Sequence, residues 1–155
     1  MKSNLQLIQA FYTAFQQKDY KIMQSCYAEN AVFSDPVFAS LKANEVRAMW
    51  EMFCKNGKDL SISINEIKQN AEQVKASWTA TYLFTATNKS VTNTITATFD
   101  FENGLISKHI DHFDFYKWAR QAFGFKGLLL GWTAYFKKLV QKQALKSLYK
   151  FMERK

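Results

Sequence analysis

Asp35, His109 and Asp111 are the side chains of this sequence best suited to chemistry. His109 and Asp111 lie two apart in an alternating stretch. On a strand both would point to one side and could meet one ligand as acid and base. Asp35 sits in Ser34-Asp35-Pro36-Val37. A carboxyl group in apolar surroundings resists ionisation, which equips it to exchange a proton near neutral pH. Plainer readings stand beside these: Asp35 caps the turn before Pro36 and faces water, and His109 and Asp111 satisfy each other. Tyr82 and Asn93 join them as polar residues on otherwise apolar faces. Tyr12, Trp50, Phe53, Trp78 and Phe113 supply flat walls for a small ligand, or plain core. Aromatic residues make up 16% of the chain, so many rings must be buried or line a cavity.

Two histidines among scattered carboxylates offer no metal-ligand spacing, and no metal or other cofactor is expected. Cys26 and Cys54 are neither closely spaced nor beside a histidine and read as buried free thiols. There is no glycine-rich phosphate loop and no serine or cysteine nucleophile motif.

The elements that would position these groups are legible in the periodicity. Ser3 and Gln6 form a capping box ahead of Leu7, Ile8, Phe11, Tyr12 and Phe15 at helical spacing. Asp19 caps a second, short helix. Residues 31–36 read as a strand ended by Pro36. A helix over residues 44–56 carries Val46, Met49, Trp50 and Phe53 on one face and stops at Gly57. Beyond Gly57 the period becomes two. Trp78, Ala80, Tyr82 and Phe84 share a face, as do Asn93, Ile95, Ala97, Phe99 and Phe101. Asn103-Gly104 turns the chain into a last strand over residues 105–113. Helices followed by hairpin-linked strands imply an α+β fold.

Three segments carry a family resemblance: Phe11-Tyr12-Thr13-Ala14-Phe15 with Lys18-Asp19, the run from Cys26 to Pro36, and the run from Asn103 to Asp114. They resemble the nuclear transport factor two-like superfamily, and within it the SnoaL-like and ketosteroid-isomerase-like proteins, over residues 3–116. The resemblance implies a cone-shaped α+β barrel: a strongly curved antiparallel sheet packed on three N-terminal helices, with a pocket between them. It gives Asp35 the Asp-Pro setting of the isomerases' general base, and His109 and Asp111 the setting of SnoaL acid/base groups. The isomerases' two oxyanion donors fall at Phe11, with Tyr12 adjacent, and at Ala97, so ketosteroid isomerisation itself is not expected. The expected function is binding of a small apolar molecule, with isomerase- or cyclase-type acid/base chemistry on a carbonyl or polyketide-like compound. A non-catalytic ligand-binding or protein-interaction module is the alternative.

Residues 1–116 form the expected domain and residues 117–155 a basic, amphipathic helical extension. Net charge is +8, yet from residue 115 onward ten basic residues face one acid, Glu153. Residues 115–124 read as a short helix, 125–132 as an apolar loop, and 133–152 as a longer helix. Its near side is expected to hold Tyr135, Phe136, Leu139, Leu148 and Met152 together. The preferred reading folds this tail over its own domain or a partner subunit, and an anionic membrane surface is the second. A homodimer is expected, in the cytoplasm, with no nucleic-acid partner.

Overall fold

The structure, a computed structural model, describes residues 2–154. Helices α1 (Asn4–Gln16) and α2 (Tyr20–Ser25) lead into β1 (Tyr27–Ser34), the short β2 (Leu41–Lys42) and α3 (Ala43–Asn56). A meander follows: β3 (Lys58–Asn70), β4 (Gln73–Phe84), β5 (Lys89–Glu102) and β6 (Leu105–His112). The tail forms α4 (Phe115–Phe123), α5 (Phe125–Leu130) and α6 (Ala134–Glu153).

Local chemistry accounts for most boundaries. The Ser3 hydroxyl accepts from the Gln6 backbone N–H while the Gln6 side chain accepts from the Ser3 N–H, which completes the capping box of α1. Asp19 caps α2 through the Ile22 N–H. Asn103 and Gly104 both have positive φ, the backbone a tight primed hairpin requires. Gly57 ends α3 in an extended conformation rather than a left-handed one.

The strands form one curved, open sheet in the order β2-β1-β6-β5-β4-β3. The meander is antiparallel, as its hairpins dictate. β1 departs from that pattern and runs parallel to β6, and its strand reaches back to Tyr27 rather than starting at residue 31. The chain returns to β1 only after α3 and three strands, and a connection of that length permits a parallel neighbour. Register breaks between Ile64 and Glu66 and between Asp100 and Phe101 bend the sheet around α1 and α3.

The core lies between these helices and the inner sheet face. It holds Ile8, Phe11, Tyr12 and Phe15 of α1, Val46, Met49 and Trp50 of α3, and Val74, Trp78, Ala97 and Phe99 of the sheet. A second apolar group joins Val91 to Phe115, Trp118, Ala119, Ala122 and Phe136 of the tail. Val37, Tyr82 and Phe113 touch both groups, so the tail closes over one end of the interior. Leu148 of α6 is fully buried in the main core, Gln141 donates to the Pro36 carbonyl, and Tyr149 donates to Glu45. Tyr135 and Leu139 do not share the buried side of α6. They face outward, at 73% and 47% exposure. The segment expected to be a loop after residue 124 is the helix α5. Cys26 is buried and Cys54 only half-buried, and burial pushes both thiols up to about 11.

Candidate functional site

Cross-strand registry sets the inner surface of the sheet. Phe99 lies opposite His109 and Val74, Ala97 lies opposite Asp111 and Ala76, and Ile95 lies opposite Trp78. The inward parity of β6 places His109 and Asp111 in the core, while Lys108 and His112 are exposed. Two small buried side chains, Ala97 beside Asp111 and Ala76 one strand further, line this part of the sheet. The Tyr12 ring takes that side of the interior, 5.8 Å from Trp78 and 6.1 Å from Phe99 between ring centroids.

A hydrogen-bonded chain runs through the core. The Trp50 indole N–H donates to the Tyr27 oxygen at 2.8 Å. Tyr27 is 2.8 Å from His109 Nδ1, and His109 Nε2 is 2.8 Å from Asp111 Oδ1. A carboxylate only accepts, so the imidazole proton belongs on Nε2. Nδ1 then accepts from the Tyr27 hydroxyl, whose oxygen already accepts from Trp50. Every donation points toward Asp111. Phe11, Phe33 and Phe99 pack around the imidazole, which has no exposure to solvent. Both of its nitrogens are engaged.

Asp111 acts beyond its hydrogen bond. Burial raises the Tyr12 hydroxyl well above its ordinary range, and the Asp111 charge adds to the effect. Burial likewise dominates at Tyr27, against the opposing hydrogen bond from Trp50. Asp35 is pushed up to about 7, first by burial. The Phe38 and Val37 N–H groups, 2.6 and 2.7 Å from its Oδ1, work the other way, and Asp111 adds to the rise. Asp35 therefore caps a turn, the one through Val37 and Phe38, but its carboxyl is turned into the interior, where it feels the Asp111 charge, rather than to water.

The remaining expected residues are distributed around this interior. Trp50 belongs to the chain, and Phe53 packs half-buried against Phe38 and Trp50. Asn93 is half-buried beside Ala80, and Phe113 bridges the two apolar groups. Tyr82 accepts from the Trp118 indole N–H of α4 at 2.7 Å, so the tail holds this wall residue. Two buried side-chain polar atoms have no partner among the described residues: the Tyr12 hydroxyl and the Trp78 indole nitrogen. Their residues are 1% and 4% exposed. Tyr27 and Trp118 were not singled out from sequence. The sequence places Tyr27 inward at the end of the second helix, whereas the structure places it inward at the start of β1, in the Cys26–Pro36 run.

Among the described residues no group of three metal-ligating side chains occurs, and no helix is long and apolar enough to cross a membrane. The described surface concavities, one beside Asn30 and Asn103 and one beside Lys68 and Thr96, are lined by none of Asp35, His109 or Asp111.

Solved structures share this fold. An NTF2-like protein of unknown function from Burkholderia pseudomallei aligns with TM-score 0.68 at 20% identity, over 79% of this chain and 98% of that one. A putative polyketide cyclase from Pseudomonas putida aligns with TM-score 0.69 at 19% identity, over 78% and 98%. An LEH-like epoxide hydrolase from M. tuberculosis aligns with TM-score 0.62 at 20% identity, over 83% and 90%. No curated protein matches the chain. The model of the SnoaL-like domain matches residues 8–109, and with that span, the open curved sheet and the helices it wraps, the chain belongs to the SnoaL-like domain family.

Proposed function

We propose that this protein binds a small apolar carbonyl compound between α1 and the inner sheet face and moves a proton on it, in an isomerase- or cyclase-type reaction. The observation that carries the reading is the pair of deeply buried donors without a partner among the described residues, Tyr12 OH and Trp78 Nε1, the first of them within the field of Asp111. Buried donors of this kind favour a ligand oxygen, and they can hold the charge that develops on a carbonyl during proton abstraction. They stand in for the family donors missing at Phe11 and Ala97. Asp35, poised near neutrality, is the proton carrier. The C–H bond beside the carbonyl breaks to Asp35, its electron pair moves onto the carbonyl oxygen, and the proton returns to another carbon. Nothing is oxidised, and no cofactor is consumed. His109 is a positioning residue, since both its nitrogens are engaged in aiming Asp111. The resemblance to a putative polyketide cyclase supports the same class of ligand.

The test is exchange of α-deuterium from a deuterated bicyclic ketone, followed by NMR. The protein should exchange it, with a rate that rises through pH 7. Asp35→Asn should abolish exchange, and Tyr12→Phe should slow it by about tenfold or more. The second reading, a non-catalytic binder, rests on Asp35 Oδ1 and both His109 nitrogens being committed to structural bonds. It predicts that a naphthol binds, weakened by Tyr12→Phe, with no exchange at any pH.

A further inference from the structure

The C-terminal helices carry an exposed apolar surface on the outside of the molecule. Of the ten large hydrophobic side chains that are exposed among the described residues, eight lie between residues 125 and 149. The densest group is Phe125, Leu128, Leu129, Leu130, Trp132 and Tyr135, with Phe125, Trp132 and Tyr135 each more than 70% exposed. Patches of this kind are rare on monomeric soluble proteins and mark an interaction site.

The fold holds this surface outward. Gly127 is the buried residue of α5 and packs against the backbone of Ala119, so its neighbours on α5 must face away from α4. Phe136 and Leu148 are the buried residues of α6, while Leu129 and Trp132 stay 53% and 72% exposed. The Trp132 indole N–H donates to the Leu129 carbonyl at 3.0 Å, which lets the ring enter an apolar medium with its polar atom satisfied.

Charge selects the occupant. Lys126 lies within the patch, and Lys138, Lys142 and Lys146 stand exposed on the outward face of α6 beside Tyr135 and Leu139. Residues 115–155 carry ten basic side chains against one acid. A second copy would set this charge against itself. A nucleic acid would use the lysines but not a run of three leucines, since bases stack on rings. We infer that this surface docks on an anionic lipid bilayer, with Phe125, the leucines and Trp132 in the headgroup–acyl boundary and the lysines at the lipid phosphates. Short apolar segments with Trp, Phe and Leu beside lysines lie in that plane.

The experiment is flotation of the full chain with vesicles of phosphatidylcholine alone and of phosphatidylcholine mixed with phosphatidylglycerol. The protein should float with the mixed vesicles and not with the neutral ones. Leu129→Ser with Trp132→Ser should lower that binding by at least about tenfold, with the urea midpoint unchanged because both positions are exposed. Lys138→Glu should lower it about fivefold, the equivalent of ~1 kcal/mol. The inference is overturned by equal flotation with neutral vesicles, by no flotation, or by full binding in the Leu129/Trp132 variant. It is also overturned if light scattering shows a wild-type dimer that the same variant dissolves, or if the variant abolishes binding to a DNA oligonucleotide while leaving vesicle binding intact.

Discussion

Two buried tyrosines invite opposite outcomes from the same substitution. Tyr27 places one hydroxyl between Trp50 Nε1 and His109 Nδ1, and Tyr27→Phe leaves both nitrogens without a partner. At about 1–3 kcal/mol for each orphaned buried group, the loss should be plain in urea unfolding. Tyr12→Phe removes a hydroxyl that bonds to nothing among the described residues, so stability should hold within about 0.5 kcal/mol or rise. If both variants lose equally, the hydroxyl of Tyr12 has a partner of its own. Asp35 gives the third test. Its folded-state pKa of about 7 lies above the ordinary 3.8, so the native state holds a proton that the unfolded chain has released. Stability should therefore fall as pH rises from about 4 to 7. Asp35→Asn should flatten that limb and be more stable than the parent by a few kcal/mol at pH 8, at about 1.4 per pKa unit. A limb that keeps its slope in the variant assigns it to another group. The inward direction of His109 and Asp111 was legible in sequence because strand parity is local. The bond from His109 to Tyr27 was not, since it spans 82 positions that only the folded sheet brings together.

The last helix shows how far periodicity reaches. Residues 133–152 are apolar on more than one side, so a hydrophobic pattern marks the helix without phasing it. Leu148 and Leu139 were read as one stripe, yet the first is fully buried and the second is 47% exposed. Leu148→Ala should cost about 2–5 kcal/mol, and Leu139→Ala should stay within about 0.5, both measured by urea unfolding. Equal effects would mean that α6 sits rotated on the domain. The same limit applies to α5, where two glycines and a leucine run suggested a loop. Packing of Gly127 on Ala119 makes the segment a helix, and tertiary contact overrides the low propensity of glycine. Hairpins were more legible, because Asn103-Gly104 encodes its turn in two residues. The parallel pairing of β1 was not, since no residue pattern within β1 names its neighbour.

At the scale of the whole molecule, β4 and β5 pair across a short turn, while β1 waits for β6 from far along the chain. Contacts close in sequence form at lower entropic cost, so the meander should organise first. Gly104→Ala, in the β5–β6 turn, should then slow folding, and Phe33→Leu, in β1, should mainly speed unfolding. Stopped-flow chevrons would show it, and the opposite assignment of arms would reverse the order. There is a consequence for synthesis. Tyr27 is made 85 residues before His112, the last residue of β6. At about 5–20 residues per second, β1 spends roughly 4 to 17 seconds without the strand it pairs with in parallel. During that interval the inward side chains of β1, Tyr27, Ala31 and Phe33, lack the His109 side of their packing, and the nascent chain is at its most exposed to aggregation.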